Sequence, residues 1–198
     1  PYGWSKLMTE RMLMDIYPAQ NMRYAILRYF NVAGADPQMR SGQISDNATH
    51  LVKVANEVAT GKRDGMAIYG ADYDTPDGTC VRDYIHVSDL AEAHRQVYIA
   101  MINDSCANIV LNCGYGHGAS VREVIETAQN IAGHRFDIQP QPRRAGDPPC
   151  LIANVERIQD VLDWRPQYNC LATIIDHALT WEKSHDHTRA QEIPSVAQ

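Results

Sequence analysis

No stretch of the 198 residues approaches the roughly 18 consecutive apolar side chains that a membrane-spanning helix needs, so no membrane span is expected. An excess of basic charge is also lacking: 18 Lys and Arg stand against 24 Asp and Glu, a formal net charge of −6 with neutral histidines. A nucleic-acid-binding face would need the opposite sign, so nucleic acid is not an expected partner. Any anionic ligand has to be held by a few placed arginines, not by the overall field. The five cysteines, Cys80, Cys106, Cys113, Cys150 and Cys170, are odd in number and include no CxxC pair. That argues against a disulfide framework or a zinc knuckle and fits a reducing, cytoplasmic setting. The opening Pro1-Tyr2-Gly3-Trp4 has no initiator Met, basic n-region or apolar h-region, and reads as a chain beginning partway into a larger protein. No internal repeat is present.

What remains is a globular composition, 44% apolar, on a chain long enough to bury roughly 70% of its extended surface. Leu7, Met8, Met12, Leu13 and Ile16 recur at helical spacing over residues 5–17, with Pro18 expected to end the run. Residues 23–33, RYAILRYFNVA, read as one buried strand, and 34–47 as a long surface connection. Helical periodicity returns over 48–60, Met66–Tyr69 is a short strand, and YDTPDG at 73–78 is a turn cluster. A helix capped by Ser88 or Asp89 runs to about Met101, a strand covers 108–113, and a helix covers Val121–Ala132 with Gly133 as its stop. Residues 140–149 read as loop, with two more helices near 155–162 and 171–184 and a frayed polar tail after them. Strands alternating with helices define a mainly parallel α/β fold.

Tyr2 and Lys6 stand four apart at the head of the first helix and share one face. An ammonium beside a phenol favours the phenolate, which makes a general base usable near neutral pH. Many solvated helices carry such a pair by chance, but the surrounding text is specific. PYGWSK, a helix, LRYFNVAGA, the run DYDTPDGTCVRDYIHVSDLAEAH at 72–94 and RRAGD at 143–147 together resemble the UDP-glucose 4-epimerases (also called UDP-galactose 4-epimerases) of the extended short-chain dehydrogenase/reductase superfamily. The likeness extends from residue 1 to about 184.

The resemblance implies a partial Rossmann-like doubly wound parallel sheet with a smaller C-terminal substrate-binding cap. Residues 1–33 would end the NAD-binding domain, 34–184 would bind the UDP-sugar, with 84–113 packing back on the Rossmann sheet, and 185–198 would be a polar tail. The family's glycine-rich dinucleotide-binding half and the Ser/Thr that partners its tyrosine are not in these residues, so the chain by itself is expected to turn over little or no substrate. The implied reaction inverts the sugar at C4 through a 4-keto sugar, with tightly held NAD as hydride carrier. Tyr2 would exchange the proton of the sugar 4-hydroxyl, Lys6 would bond the nicotinamide ribose, and Phe30 would line the nicotinamide. Asn31 would bond the substrate, Ala67, Ile68 and Tyr69 would form the strand against which uracil lies, Arg82 and Arg144 would face the phosphates, and Asp147 would accept from the uridine ribose. A homodimer is implied, and the Met8, Met12 and Leu13 stripe is either core or its face.

Two departures stand out. Where many epimerases have Asn-Leu, this chain has His50-Leu51, and His50 is carried over as a sugar or phosphate contact. Where a bulky Tyr can close the sugar pocket, this chain has Cys150, which predicts acceptance of UDP-N-acetylglucosamine and UDP-N-acetylgalactosamine. A second glycine pattern, Gly114-Tyr115-Gly116-His117-Gly118-Ala119 with Asp137 about twenty residues on, imitates a dinucleotide fingerprint. Asp137 has no evident strand of its own, and Ser120 with Glu123 forms a capping box, so the segment is expected to be a strand-to-helix turn. His185, Asp186 and His187 lack metal-ligand spacing and read as solvated tail, so no metal is expected. The alternatives are a sister enzyme acting on UDP-pentoses or UDP-hexuronates, and a catalytically silent nucleotide-sugar-binding piece.

Overall fold

Why the first helix runs past its proline shows how the chain is built. In the computed structural model, which describes residues 1–198 except 21, 46, 104–107 and 192–198 and the side chains of 185–191, α1 spans Tyr2–Gln20 with Pro18 inside it. So close to the C-terminal end, Pro18 removes a single ladder bond and leaves the last turn in place. The helix has no fully buried residue. A forked ion pair fastens it to the sheet: Arg28 Nε and Nη2 donate to the two Glu10 carboxylate oxygens at 2.8 and 2.5 Å. The hydrogen bonds from Arg28 hold the Glu10 carboxyl below its usual range.

Residues 23–33 are not one strand. The run divides at Phe30 into β1 (Ala25–Tyr29) and β2 (Asn31–Ala33), each with its own partner. β1 lies parallel to β6 (Ile109–Cys113), and β2 lies parallel to β5 (Tyr84–His86). A third parallel pair joins β3 (Gly65–Tyr69) to β8 (Asp137–Gln141). Asp137 therefore does open a strand, contrary to expectation: extended pairing with β3 accommodates Pro140, whose missing N–H is tolerated at a sheet edge. In the fourth sheet β4 (Val81–Arg82) runs antiparallel to β7 (Ala119–Ser120) and parallel to β9 (Cys150–Leu151); of the expected 140–149 loop, 140 and 141 end β8, and 142–149 are loop leading into β9.

Helices α2 (Leu51–Ala59), α4 (Val121–Ala132) and α6 (Leu171–Gln191) pack on one another. Their apolar stripes meet in a core that includes Val52, Ala55, Val124, Ile125, Ala128, Ile174 and Ile175, with Trp164 buried below α5 (Glu156–Val161). The capping box of Ser120 and Glu123 and a left-handed Gly133 bound α4 as the sequence predicts. α6 continues through the polar residues to Gln191, beyond the expected 184. The His185, Asp186 and His187 side chains lie outside the described residues. The described cysteines Cys80, Cys113, Cys150 and Cys170 are free thiols, and Cys106 lies outside the description. Among the described residues no helix is long and apolar enough to cross a membrane.

Helix α3 (Val87–Ile102) is capped by neither Ser88 nor Asp89 but by His86, whose Nδ1 accepts from the Ser88 N–H at 3.0 Å. An accepting Nδ1 puts the proton of the neutral ring on Nε2, which lies 3.0 Å from His177 Nδ1. The ring is fully buried, with Tyr168 at 4.5 Å between centroids. Gly34, at φ +88°, lies so close that a Cβ would stand 2.7 Å from His86 Cδ2. Burial, reinforced by His177, pushes the His86 pKa down to about 4 from its ordinary 6.5. Between those values the unfolded chain binds a proton that the folded chain refuses. This contribution is therefore complete above pH 6.5 and fades as pH falls toward 4, by at most about 3 kcal/mol. The urea midpoint should drop between pH 7.5 and 5, and His86→Asn, which keeps a capping oxygen, should flatten that drop. A wild-type midpoint constant over this range contradicts the assignment.

Candidate active site

Strand alternation builds the first wall of the site. In β3, Met66 and Ile68 point into the core while Ala67 and Tyr69 face outward. Of the expected uracil strand, Ile68 therefore offers only its backbone to the outside, and Ala67 and Tyr69 line a cavity of about 610 Å³. The same cavity takes in Arg82, Arg144 and Asp147. The guanidinium of Arg144 lies over the Tyr69 ring at 3.7 Å, and Arg82 Nη2 is 3.6 Å from Asp147 Oδ1. The two arginines of RRAGD divide their work. Arg143 is tied down, donating to Asp72 Oδ1 at 2.7 Å and lying 4.3 Å over Tyr73, while its neighbour Arg144 is turned to the cleft.

A second cavity, of about 290 Å³, is lined by Tyr2, Phe30, Asn31, His50, Leu51 and Gln43, among others. Asn31, His50, Leu51 and Tyr84 line both cavities, so the two form one cleft with those four at its waist. Tyr2 is 76% exposed, and the Lys6 ammonium stands 5.2 Å from the centre of its ring. Burial pushes the Tyr84 phenol up, which keeps it a protonated donor at the waist. Asn31 is oriented by its own amide: Nδ2 donates to the Asp83 carbonyl at 3.3 Å, freeing Oδ1 as an acceptor. Of the expected set, Tyr2, Phe30, Asn31, His50, Leu51, Ala67, Tyr69, Arg82, Arg144 and Asp147 line this cleft. Lys6 reaches it through Tyr2. Cys150 lines neither cavity; it is exposed on β9, opposite Val81.

The second glycine pattern has a different occupant. Asp83 is fully buried and accepts from the backbone N–H groups of Tyr115 at 3.0 Å, Gly116 at 3.0 Å and Ala153 at 3.2 Å. A Cβ on Gly114 would stand 2.7 Å from Asp83 Oδ2. An internal carboxylate thus takes the place a pyrophosphate would need, and this loop does not hold a dinucleotide. The cofactor question rests on the other end. The hydroxyl of Tyr2, the ammonium of Lys6 and the ring of Phe30 suit a ribose diol and a flat aromatic ring, and a Cβ on Gly3 would meet nothing within 4 Å. The residues present fit the nicotinamide riboside end of NAD.

Three contributors were missed in the sequence: Asp83 as an anchor, Tyr84 at the waist, and the Glu10–Arg28 fork under α1. Asp83 and Tyr84 sit within VRDYIHV, so the motif marked their place but not their work. The fork joins residues 18 apart and had no local signal.

A parallel α/β chain with an exposed Tyr/Lys pair at a helix head and a cleft ending in two arginines has the arrangement of the extended short-chain dehydrogenase/reductases. The chain belongs to the family described as GDP-mannose 4,6 dehydratase, which matches residues 1–176. It is 51% identical over 191 residues to the UDP-glucose 4-epimerase of Azospirillum brasilense, covering 96% of this chain and 55% of that protein. Among solved structures, the UDP-Glc/GlcNAc 4-epimerase of Campylobacter jejuni is 47% identical with a TM-score of 0.76, covering 93% of this chain and 56% of that one. The UDP-glucose 4-epimerase of Bifidobacterium longum, solved in complex with NAD+ and UDP, is 36% identical with a TM-score of 0.85, covering 94% and 55%. The chain thus spans just over half the length of the relatives it matches.

Asp83→Asn keeps the shape of the buried anchor but replaces one accepting oxygen by a donor that faces N–H groups. It should cost about 3 kcal/mol of stability in urea unfolding. A loss under about 0.5 kcal/mol would show that the three N–H groups do not depend on the charge.

Proposed function

We propose that this chain supplies the proton-transfer pair and the substrate-binding cleft of a UDP-glucose 4-epimerase that uses NAD. The observation that carries this reading is the single cleft with Tyr2 and Lys6 at one end, Arg82, Arg144 and Asp147 at the other, and a waist between. Relatives carrying that name, one of them solved with NAD+ and UDP, support it. Residues 1–33 carry the cofactor-facing groups together with Tyr2 and Asn31, which also meet the sugar, and 34–184 carry the remaining substrate-facing ones, with β6 returning to pair with β1.

In this reading uracil lies along Ala67 to Tyr69, Asp147 accepts from the ribose, and the forked donors of Arg82 and Arg144 meet the diphosphate. The sugar enters the smaller cavity, where Asn31 offers it an acceptor. Tyr2 takes the proton from the sugar 4-hydroxyl and later returns it, with the Lys6 ammonium standing beside its ring. When bound, NAD supplies hydride exchange at the sugar C4. Inversion requires the sugar to present its other face between the two transfers, so the nucleotide end must be held firmly and the sugar end loosely. The apolar outer face of α1, with Trp4, Met8 and Met12 each at least 60% exposed, is the surface we assign to the expected homodimer. The free thiols fit a cytoplasmic enzyme.

The test has two parts. By calorimetry the 198-residue chain should bind UDP, and Arg82→Ala and Arg144→Ala should each weaken binding about tenfold or more. Absence of UDP binding overturns the reading. Fused behind the segment of the Azospirillum brasilense epimerase that precedes its aligned region, the chain should interconvert UDP-glucose and UDP-galactose, and Tyr2→Phe should lower kcat by about 10² or more.

Acceptance of N-acetylated sugars is part of the proposal, supported by the Campylobacter jejuni relative; Cys150, which lines neither cavity, enters it only as the position where the resemblance puts a bulky side chain against the sugar. Turnover of UDP-N-acetylglucosamine by the fusion should fall sharply in Cys150→Tyr while UDP-glucose turnover persists. Equal retention of both would refute a steric role for this position.

A further inference from the structure

At the waist of the cleft His50 is the N-cap of α2, yet its side chain makes no capping bond. The ring is instead engaged from the side: Gln43 Nε2 lies 3.0 Å from His50 Nδ1 and 3.2 Å from Ser45 Oγ. The two amide hydrogens of Gln43 satisfy both contacts at once, one donated to Ser45 and one to His50. Nδ1 is then an acceptor, and the proton of the neutral imidazole must sit on Nε2. Gln43 is itself fixed. Its carbonyl accepts from Trp181 Nε1 at 3.3 Å and from Lys53 Nζ at 3.5 Å. The preceding Gly42 lies so close that a Cβ would stand 2.4 Å from the indole ring.

We infer that Gln43 is a positioning residue that sets the His50 tautomer, so that His50 donates Nε2–H to the diphosphate of the nucleotide sugar. The inference rests on the cleft reading above and goes beyond it by assigning the ligand group and its orienting partner. Three observations select the diphosphate. His50 lines both cavities, so it lies between the sugar end and the nucleoside end. The first turn of α2 carries no acidic residue, and its backbone N–H groups add positive potential beside His50. Arg82 and Arg144 bring further donors from the nucleoside side. The opposite tautomer would present a lone pair to the phosphate oxygens, which they repel.

The experiment is a double-mutant cycle read by UDP calorimetry, with imidazole ¹⁵N shifts of His50 recorded on the same 198-residue chain. Wild type should show a protonated Nε2 and a bare Nδ1. Gln43→Met, of similar length but without donors, should mix the tautomers and weaken UDP binding about fivefold. In a His50→Asn background, where there is no tautomer to set, the same Gln43→Met change should alter affinity less than twofold. An equal loss in both backgrounds would mean that Gln43 merely braces the loop, and would overturn the inference. So would a proton on Nδ1 in the wild type, a reading that needs no variant to fold. Wild-type chain that binds no UDP overturns the cleft reading itself; wild-type chain that binds UDP with Nδ1 protonated overturns only this inference.

Discussion

The buried carboxylate of Asp83 ties together four segments that the chain visits far apart. Its oxygens collect N–H groups from the loop after β6 and from Ala153, its own N–H donates to the Leu151 carbonyl at 3.1 Å, and its carbonyl receives both the backbone and the side chain of Asn31. A carboxylate taken out of water carries a large desolvation cost, which only a full set of directed donors offsets. The arrangement therefore tolerates little slack, and rigidity is what the neighbouring residues inherit. Arg82 on one side and Tyr84 on the other are held in the backbone that Asp83 fixes, and Asn31 is aimed by its carbonyl. Much of the cleft's waist and one of its two arginines are placed by a residue that never meets the cleft.

A nearby carboxylate, Asp89, repeats the device in the first turn of α3. It is buried and accepts from Tyr115 Oη at 2.6 Å and from the backbone N–H groups of Gln167 and Tyr168 at 2.8 and 2.9 Å. The two acids share Tyr115 between them, one through its backbone and one through its hydroxyl. Burial together with the Asp89 hydrogen bond pushes that phenol up, so it is a protonated donor at neutral pH. The run from Asp83 to Asp89 thus acts as one internal scaffold of negative charge, wrapped by loop N–H groups. It also accounts for some of the protein's acidity that is not available to repel an anionic ligand at the surface.

How much of this was legible beforehand follows from the range of each interaction. The capping box of Ser120 and Glu123, the left-handed Gly133 and the outward alternation of Ala67 and Tyr69 are local consequences of a few neighbouring side chains, and the sequence displays them. The break at Phe30 was not legible, because β1 and β2 differ only in which distant strand they meet. Asp137 gave no strand signal for the same reason: its pairing with Gly65 is supplied from across the fold. His86 was overlooked as the cap of α3 because a histidine is an uncommon cap, and its suitability depends on a half-buried partner, His177, in another helix. The glycine pattern at 114–118 was readable as a turn, but only the structure gives the reason, an aspartate 33 residues earlier that already fills the nest. Motif resemblance located most of the cleft residues and named Arg144 over Arg143, but the physical reason for that division, Asp72 and Tyr73 holding Arg143, is visible only in the structure.

The two ends of the cleft differ in how they are made, and that difference suits the proposed inversion at one carbon. Around the nucleoside end, polar side chains are paired with one another: Arg144 on Tyr69, Arg82 near Asp147, Arg143 on Asp72. Such groups are largely pre-ordered, so a nucleotide gains their contacts with less loss of side-chain entropy. The end near Tyr2 offers a largely exposed phenol, the Asn31 side-chain oxygen and apolar walls from Phe30, Leu51 and Val32, while Gln43, Lys53 and Glu182, which also line it, are engaged with partners of their own. Apolar walls exclude water without fixing a direction, because dispersion and the hydrophobic effect do not depend on orientation. In the proposed reaction a sugar ring held there keeps the freedom to turn while its nucleotide tail stays anchored. In the proposed reaction, directed interactions fall on the part of the substrate that does not react, the arrangement under which a single base can serve both faces of the part that does.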